Sequence, residues 1–352
     1  MMYTHRVNMT TCLVIGDPHF KVKNISKGRR MADRIVEIAE ERQPDFIVVL
    51  GDILDRHETI HVDPLCLANS FMYRLSHVAH TYLLIGNHDR PNNSDFLSDR
   101  HPFTALKTWQ NVTIVDYTTY NMINGQPYVF VPYVPPGMFG EALDKYDGWM
   151  NAKCIFAHQE FRGVKMGCES SSKGDIWPAN YPLVVSGHIH EYQVLASNLR
   201  YTGTPIQQNF GEQDHKTISW YTFTTDGYQE ERIDLGLPRN VIIEIECNDI
   251  ISTEIPEYDD VKVIINGTSA EIKTAMKSHK VQRWKKSGAK IVYKDIPLVS
   301  TFNSYPTRQP CDNYSSMLSK IISENKSLCD LYSEIFGKVS SNNKTKLMLK
   351  LV

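Results

Sequence analysis

The stretch CLVIGDPH, residues 12–19, decides the fold, because a short apolar run ends there in two metal-ligand side chains, Asp17 and His19. The same design recurs in IVVLGDILD (47–55), LLIGNHD (83–89), CIFAH (154–158) and LVVSGHIH (183–190). Short apolar runs bounded by turn residues are typical of buried strands. Strand ends along one edge of a sheet are where α/β proteins build their sites. The sequence therefore predicts one site assembled from five strand ends.

The segments between the first three strands carry apolar residues at helical spacing, which predicts a strand–helix–strand–helix–strand order. These residues are Met31, Ile35, Ile38 and Ala39 in the first helix and Leu67, Phe71, Leu75 and Val78 in the second. Right-handed crossovers place the ends of such parallel strands at one edge of the sheet. We therefore expect Asp17, Asp52 and Asn87 to lie side by side.

The rest of the chain predicts further domains. From about residue 112 the sequence is richer in strand patterns, which predicts a second sheet packed on the first. Three later strand patterns around a helix at about 268–282 predict a small α+β domain. The predicted boundaries are a main domain over 1–237, a capping and DNA-binding domain over 238–298, a linker over 299–312 and a helical partner-binding region over 313–352.

Composition narrows the class of protein. The chain has 352 residues, of which 41% are hydrophobic and 22% charged, as in ordinary globular proteins. Its net charge of −2 is not that of a nucleic-acid coat, so a polyanion would bind through a local patch or through metal ions. Seven scattered cysteines without a CxxC pair favour reduced thiols. No signal peptide or membrane-length apolar stretch is evident, so we expect a cytoplasmic protein without a membrane partner.

The residue types at the five strand ends predict a metal site. In an extended segment, the x-spaced Asp17 and His19 point to one face and can chelate one ion. Carboxylate, amide and imidazole ligands without a thiolate suit manganese, iron or zinc. A pair of such cations in one site is typical of enzymes that hydrolyse phosphate esters. A single motif of this kind is usually a surface or capping residue, but five in order favour the metal site.

The order D-x-H, G-D-x-x-D, G-N-H-D, H and G-H-x-H resembles that of the calcineurin-like metallophosphoesterase superfamily. Within it, PYVPP (132–136), YTGTPIQQNFGE (201–212) and the domain order resemble the SbcD nuclease subunit, counterpart of the eukaryotic Mre nuclease. The resemblance implies an α/β fold, a four-layer α/β/β/α sandwich with a small α+β capping domain and a C-terminal helical tail. A bacterial or bacteriophage version, in a bacterial or phage-infected cytoplasm, is the form it implies.

The same resemblance assigns the ligand-type residues to two divalent ions. The first set of ligands is Asp17, His19, Asp52 and His190. The second set shares Asp52 as a bridge and adds Asn87, His158 and His188. Manganese is the cation that the family implies, with magnesium, iron(II) or zinc as alternatives.

His88 has no place in either ligand set and matches the family's catalytic histidine. It would stabilise the pentacovalent state or give a proton to the leaving oxygen, a role worth about 10²–10⁴-fold in rate. Asp89 is predicted to orient His88 as a further catalytic residue, with a turn-capping role as the alternative. Asp55 is expected to support the site without binding an ion or taking part in catalysis.

Two basic segments predict a polyanionic substrate, although a solvated loop or helix is the alternative for each. The DNA-binding candidates are Lys21, Lys23, Arg29 and Arg30 after the first strand, and Lys277, Lys280, Arg283, Lys285 and Lys286 in the later segment. Residues 273–290 contain no acidic side chain, which favours contact with a polyanion. Trp284 in that segment could stack on an unpaired base or anchor a core.

Helical spacing of apolar residues in the tail predicts an amphipathic helix, which could dock a partner or pack on its own domain. The partner-binding candidates are Met317, Leu318, Ile321, Leu328, Leu331, Ile335 and Phe336. SbcD-like subunits bind an SbcC-type (Rad-type) coiled-coil ATPase through such a region. The resemblance thus implies that partner, with a homodimer of this chain inside a heterotetramer.

The leading hypothesis is a manganese-dependent DNA nuclease subunit of an SbcCD-like recombination and repair complex. It would act as an exonuclease on duplex ends and as an endonuclease on single strands or hairpins. A stand-alone phosphodiesterase or phosphatase for nucleotides or phosphoproteins shares every metal ligand and is the first alternative. A DNA-end-binding scaffold with a silent site is the alternative from another class.

Overall fold

Sheets dominate the computed structural model, which describes residues 9–57, 59–167, 169–257 and 259–296. The strands are β1 (Thr10–Ile15), β2 (Phe46–Val49), β3 (His80–Leu84), β4 (Val112–Val115), β5 (Thr119–Ile123), β6 (Gln126–Val131), β7 (Cys154–His158), β8 (Lys165–Met166), β9 (Glu169–Ser170), β10 (Val184–Gly187), β11 (Gln193–Ala196), β12 (Leu199–Tyr201), β13 (Ile218–Thr224), β14 (Gly227–Ile233), β15 (Asn240–Glu246), β16 (Asp260–Gly267) and β17 (Lys290–Asp295). The helices are α1 (Ile25–Arg42), α2 (Val62–Val78), α3 (Phe139–Leu143), α4 (Ser269–Ala275) and α5 (His279–Lys286).

The first sheet has six strands in the order β14-β13-β1-β2-β3-β4, and β1 to β4 are parallel. Helices α1 and α2 connect β1 to β2 and β2 to β3, so the predicted strand–helix order is confirmed. Helix α1 ends at Arg42 because Gln43 adopts the left-handed conformation and Pro44 follows. The carboxyl ends of β1, β2 and β3 therefore lie next to one another, as the sequence predicted.

The second sheet also has six strands, in the order β11-β12-β10-β7-β6-β5. Its four central strands are parallel, and the ends of β7 and β10 are neighbours. The second sheet was predicted, but strands β4 and β13 of the same region join the first sheet instead. Strand β13 pairs antiparallel with β1, which extends the first sheet on the side away from β2.

The two sheets pack face to face through an aromatic core. Phe46 and Tyr82 of the first sheet contact Phe130 of the second, and Phe46 also contacts Phe156. Full burial of each such side chain contributes about 1.5–3 kcal/mol. Helices α1 and α2 cover the outer face of the first sheet, and α3 with the aromatic residues around Phe161 covers the second. The four-layer α/β/β/α sandwich is thus confirmed.

The small domain is a parallel sheet, β15-β16-β17, with α4 and α5 beside it. The single helix predicted at about 268–282 is two helices, because Ser278 takes an extended conformation and begins α5. Trp284 is buried with Val263 and Val281 in the core of this domain, so it anchors the core and is not a base-stacking platform. The small domain lies in the same compact unit as the two large sheets, so its boundary at 237 remains a prediction.

The predicted linker (299–312), helical region (313–352) and partner-binding residues lie outside the described residues. Within the residues that are described, no helix combines the length and apolar character needed to cross a membrane.

Candidate metal centre

The five strand ends bring the predicted ligands to one place, where the carboxyl ends of the two parallel arrays meet. Asp17, Asp52 and Asn87 follow β1, β2 and β3 of the first sheet. His158 ends β7, and His188 follows β10 in the second sheet. All of these residues except His188 are buried, and His188 is half-buried.

The backbone at three of the predicted ligands is strained. His19 and Asp52 have φ of 45°, and His188 has φ of 78°. A non-glycine residue with positive φ is uncommon, and such strain costs about 1–3 kcal/mol each. Strain of this kind persists where the surrounding structure holds it, typically at functional sites. At these three residues the backbone adopts an unfavourable conformation, and their side chains lie in the site.

The first group of ligand atoms belongs to Asp17, His19 and His190, and these atoms all lie within 4.8 Å of one another. Nε2 of His19 is 3.1 Å from Nε2 of His190. Two nitrogens that each lie about 2.1 Å from one cation at right angles are about 3 Å apart, so this spacing suits a shared ion.

The second group belongs to Asp52, His158 and His188 and meets the same 4.8 Å limit. Asn87 adds an amide oxygen, which lies 3.0 Å from Nε2 of His158 and 2.9 Å from Nδ1 of His188. Oδ2 of Asp52 is 3.4 Å from His158 Nε2 and 3.9 Å from His19 Nε2. Asp52 therefore stands between the two groups, where a bridging carboxylate belongs.

Backbone and carboxylate acceptors orient two of the imidazoles. His158 donates through Nδ1 to the carbonyl oxygen of Leu50 at 2.8 Å, and His190 donates through Nδ1 to Glu212 at 3.0 Å. An acceptor at Nδ1 fixes the tautomer in which Nε2 carries a lone pair. In their neutral form, both rings thus aim an Nε2 lone pair at the site, and this is the form that binds metal.

Among the described residues, the site contains buried carboxylates and polar atoms without partners, and bound divalent cations would compensate both. Oδ1 of Asp17 and Nδ1 of His19 have no hydrogen-bond partner in the described part of the chain. Burial raises the pKa of Asp17 to about 7, although His158 opposes the shift. Burial acts against ionised His158, but Asp52 and Asp17 raise the pKa of that imidazole to about 9. Buried polar atoms normally find partners, and cations would supply them here.

Neutral imidazole is the form that ligates metals. Burial lowers the pKa of His19 to about 3 and that of His188 to about 3. Asp52 stays ionised, because His158 and His19 hold its pKa well below the usual value against the effect of burial. The anionic carboxylate of Asp52 beside the neutral imidazoles of His19 and His188 is a suitable donor set for hard-to-borderline divalent ions.

Two glycines make room for these ligands. A Cβ on Gly187 would collide with Oδ1 of Asp17, and a Cβ on Gly86 would collide with the backbone and carboxylate of Asp52. The glycines that precede His188 and Asn87 therefore permit close approach of the strand ends, in addition to the sharp turns expected from the sequence.

A model of the calcineurin-like phosphoesterase family matches residues 10–195, more than half of the chain. The chain belongs to the calcineurin-like phosphoesterase family. This family uses divalent metal ions, and the two ligand groups are where this phosphoesterase would hold them. The individual ligand roles remain predictions that the geometry supports.

Two viral proteins are similar to this phosphoesterase. The protein provisionally named phosphoesterase 078R of Invertebrate iridescent virus 3 is 43% identical over 242 residues, 68% of this chain and 70% of the relative. Phosphoesterase 244L of Invertebrate iridescent virus 6, also a provisional name, is 39% identical over 280 residues, 76% of this chain and 98% of the relative. The solved structure of Yfce, a phosphoesterase from E. coli, covers 64% of this chain and 100% of its own at 11% identity, and its TM-score of 0.30 carries no further argument.

His88 of the phosphoesterase faces the metal centre from the turn after β3. Its backbone N–H donates to Oδ1 of Asp52 at 2.8 Å, and its Nδ1 lies 3.0 Å from the carbonyl oxygen of Asp55. Because a carbonyl only accepts, Nδ1 carries a proton and Nε2 is the nitrogen that exchanges protons in the site. Nε2 is 4.0 Å from Oδ2 of Asp52. The imidazole of His57 stacks on His88 with ring centroids 4.6 Å apart.

Asp89 holds the turn and does not orient His88. Its carboxylate accepts hydrogen bonds from the backbone N–H groups of Leu54 at 3.0 Å, Gly86 at 3.1 Å and Ile53 at 3.4 Å. Of the two roles predicted for Asp89, the structure shows turn capping and corrects the catalytic one. The Asp55 carbonyl, and not Asp89, is the partner of His88 Nδ1.

The carboxylate of Asp55 borders the site, and its predicted supporting role remains a prediction. Its Oδ1 is 3.8 Å from Nδ1 of His19 and 3.1 Å from Nζ of Lys21. Asp55 belongs to neither of the two ligand groups. Asp55 thus holds His88 through its backbone carbonyl, and its carboxylate lies near His19 without a hydrogen bond to it.

The basic loop after β1 lies beside the metal centre. Lys21, Lys23 and Arg30 line a groove there, whereas Arg29 is exposed and does not line it. The later candidates are in or just before α5 and are outside this groove lining. Lys280 among them is engaged within its own domain, since its Nζ donates to the carbonyl of Ile251 at 2.8 Å.

Sequence reasoning missed three residues that the structure brings to the site. His57 stacks on His88, Glu212 binds His190, and Arg90 is buried directly after the Asp89 turn. Glu212 ends the stretch YTGTPIQQNFGE, so a signal for it was present in the sequence. His57 and Arg90 lie two and one residues beyond recognised motif positions, where no spacing rule singled them out.

Proposed function

We propose that this phosphoesterase is a manganese-dependent nuclease that hydrolyses DNA phosphodiesters. The observation that supports it is a basic groove of about 750 Å³ that opens beside the metal centre. The groove runs between the loop after β1 and the small sheet, so both domains contribute to its walls. A volume of about 750 Å³ lined from both domains has room for several nucleotides of a strand.

Charge in the groove is strongly unbalanced in a chain whose net charge is −2. The basic side chains that line it are Lys21, Lys23, Lys27, Arg30, Arg56 and Lys290. The acidic side chains among its described lining residues are Asp55 and Asp260, and Lys21 and Lys27 pair with them at 3.1 and 3.2 Å. The four remaining cations have no acidic partner among the described residues, and phosphates would neutralise them.

Lys27 also ties the two walls of the groove together. Its Nζ is buried and donates to Oδ1 of Asn240 at 2.9 Å in addition to Asp260. Gln207 of the main domain bonds the backbone of Asn240 in both directions, at 2.6 and 3.3 Å. These contacts hold the two walls of the groove together beside the metal ligands.

The chemistry follows from the residues around the centre. Two divalent cations bound there would lower the pKa of a shared water and neutralise charge on the phosphate. The Asp55 carbonyl holds the Nδ1 proton of His88, so a second proton on Nε2 is the one that the imidazolium form would give to the leaving oxygen. The lysines and arginines of the groove would position the strand by contacting its phosphates. Contacts of this kind give no preference for particular bases.

The finer features of the leading hypothesis remain predictions. These are exonuclease activity on duplex ends, endonuclease activity on single strands or hairpins, a homodimer, and an SbcC-type ATPase partner. The basic groove supports contact with a strand, and it is equally compatible with either mode of cleavage. The residues predicted to bind the ATPase lie outside the described part of the chain.

Cleavage of two substrates by the manganese-loaded protein tests the proposal. End-labelled duplex DNA and circular single-stranded DNA report nuclease activity. Bis(p-nitrophenyl) phosphate reports hydrolysis of a small phosphodiester that does not need the groove. We expect Lys23→Glu with Arg30→Glu to weaken DNA cleavage and to lower the slope of log K against log salt by about two. Arg34→Glu and Arg74→Glu, which do not line the groove, are the matched controls.

The outcomes separate the three hypotheses. DNA cleavage that depends on manganese and on Lys23 and Arg30 supports the nuclease. Rapid turnover of the small diester without DNA cleavage supports a stand-alone phosphodiesterase. DNA binding that needs the groove, without metal-dependent cleavage of either substrate, supports a silent scaffold.

A further inference from the structure

The imidazole of His88 is too exposed for burial alone to fix its orientation, since its side chain is 33% exposed. The hydrogen bond from Nδ1 to the carbonyl oxygen of Asp55 holds one atom of the ring. The last side-chain torsion of a histidine is broad, so a hydrogen bond at one atom leaves the ring free to tilt. A proton donor must lie within hydrogen-bond reach of the leaving oxygen, and a tilt of the ring would move Nε2 away from it.

The ring of His57 covers one face of the His88 imidazole. The two ring centroids are 4.6 Å apart and the ring planes differ by 19°, so the rings are stacked. His19 meets His88 differently, edge to face at 85° with centroids 5.2 Å apart. Aromatic pairs are worth about two- to tenfold in an equilibrium constant. The face contact with His57 therefore opposes tilting of the His88 ring.

Two reciprocal hydrogen bonds hold the stacked pair between the turns that follow β2 and β3. Nδ1 of His88 donates to the carbonyl oxygen of Asp55 at 3.0 Å. Nδ1 of His57 donates to the carbonyl oxygen of Arg90 at 3.2 Å. A carbonyl oxygen only accepts, so Nδ1 carries a proton in both rings. Each turn thus gives one imidazole and one carbonyl oxygen to the other, and this fixes the two rings relative to each other.

The carboxylate of Asp89 joins the same two turns through their backbones. It accepts hydrogen bonds from the N–H groups of Leu54 at 3.0 Å and Ile53 at 3.4 Å. His57 itself belongs to neither of the two ligand groups that the described residues form. His57 therefore contacts the residue expected to donate the proton and is held by the same turns, without being a metal ligand.

We propose that His57 is a positioning residue for the phosphoesterase reaction, because its stacked ring holds His88 in the orientation from which Nε2 gives a proton to the leaving oxygen. The inference rests on the proposed function, since it takes His88 as the proton donor. It predicts that His57 matters for leaving groups that need a proton and not for those that leave as stable anions. The opposing view is that His57 only fastens the turn at Arg90.

The first experiment detects the stack without metal or turnover. Histidine labelled with ¹³C at Cε1 is incorporated into the full chain, spectra are recorded in EDTA, and the resonance lost in His88→Gln assigns His88. A ring stacked on its face shifts that resonance upfield. We expect His57→Ala to move it downfield and His57→Phe to restore an upfield position. His77→Ala, which removes an exposed histidine that also bonds a backbone carbonyl, should leave it unchanged. An unchanged His88 resonance in His57→Ala overturns the proposal.

The second experiment compares two leaving groups on one nucleotide. The ethyl and p-nitrophenyl esters of thymidine 5′-phosphate are cleaved by the manganese-loaded protein in single turnovers. An alkoxide needs a proton as it leaves, whereas p-nitrophenolate leaves as a stable anion. We expect His57→Ala to slow cleavage of the ethyl ester about tenfold and that of the p-nitrophenyl ester by less than about twofold. The metal content of the variant should equal that of the wild type, because His57 is outside both ligand groups of the described chain.

Two substitutions separate stacking from fastening. Phenylalanine keeps a flat ring but cannot donate to the Arg90 carbonyl, whereas asparagine keeps a donor but has no ring. We expect His57→Phe to cleave the ethyl ester within about threefold of the wild-type rate and His57→Asn to behave like His57→Ala. Rescue by asparagine and not by phenylalanine overturns the proposal. An equal loss for the two esters in His57→Ala also overturns it.

A double variant shows whether His57 acts through His88. In a His88→Gln background, His57→Ala should cause no further loss on the ethyl ester, since the two residues share one function. A loss that persists at its full size in that background overturns the proposal. If the wild type cleaves neither ester, the proposed function fails, and the His88 resonance of the metal-free protein still decides whether His57 holds the ring.

Discussion

Glu212 accepts a hydrogen bond from Nδ1 of His190 at 3.0 Å, and the other nitrogen of that ring faces His19 across 3.1 Å. Glu212 is itself held by the backbone N–H of Gln208 at 3.0 Å and by Lys216 at 3.1 Å. A carboxylate behind a metal-binding histidine fixes the ring and raises its basicity. The position of one predicted ligand is therefore set by a residue outside the ligand groups.

Glu212→Gln tests this relationship. Glutamine keeps the shape but removes the charge, so we expect manganese affinity to fall about 10–100-fold. Activity should recover when manganese is raised, because the ligands themselves remain. Isothermal titration and the manganese dependence of cleavage measure the change. Glu231→Gln, a surface partner of Arg42, is the control, and equal affinities in all three proteins would contradict the relationship.

His88→Gln separates chemistry from metal binding. His88 is outside both ligand groups, so metal uptake should equal that of the wild type. Turnover should fall about 10²–10⁴-fold, since the proton donor is lost. Single-turnover cleavage and metal analysis of the same sample give both quantities. Loss of metal together with activity would show that His88 is a ligand.

Gly187→Ala should damage the site through sterics alone. The added methyl group collides with the Asp17 carboxylate and lies 3.0 Å from Leu50. We expect destabilisation of about 1–3 kcal/mol, as for overpacked cores, and weaker metal binding. Denaturant unfolding and metal titration are the measurements. Gly140→Ala, where no atom lies within 4 Å of the new Cβ, is the matched control, and identical behaviour of the two variants would refute the close approach.

Asp116 makes the free energy of unfolding depend on pH in the acidic range. Burial raises its pKa, but hydrogen bonds from His101 and Lys107 outweigh this and hold the pKa below the usual value. A carboxylate with a depressed folded pKa stabilises the protein above its unfolded value, near pH 4, and that stability is lost as pH falls through the lower folded value. Asp116→Asn should lose about 1–3 kcal/mol at pH 7 and show a flatter acid slope.

Unfolding by urea between pH 7 and pH 2 measures both quantities. Asp99→Asn, on an exposed carboxylate, is the control and should keep the wild-type slope. A slope for Asp116→Asn as steep as that of the wild type would contradict the role given to Asp116.

The strand ends and their order were predictable because each apolar run stops at a polar ligand, and parallel strands must share an edge. The runs before Asp17, Asp52, Asn87, His158 and His188 all became strands that end at the site. Strands β5 and β14 had no such signature, since their side chains are mostly half-buried and many are polar, and β12 is only three residues long. Tertiary pairing, and not local pattern, makes them strands.

The supporting residues of the site were less accessible to sequence reasoning. Asp89 was expected beside His88 because the two are neighbours, yet the turn directs its carboxylate to the amides of Gly86, Ile53 and Leu54. Contacts such as that of Glu212 with His190 join residues 22 positions apart and depend on how loops fold over the edge. The basic groove likewise arises only when the small domain meets the loop after β1.

Metal stoichiometry shows whether the two ligand groups hold a pair of ions. After manganese loading and removal of free metal, we expect two ions per chain in the wild type. Asp52→Asn should bind less than one, because Asp52 stands between the two ligand groups. If the wild type retains no manganese, or if Asp52→Asn still holds two ions, the two-metal site with Asp52 between the ligand groups does not exist.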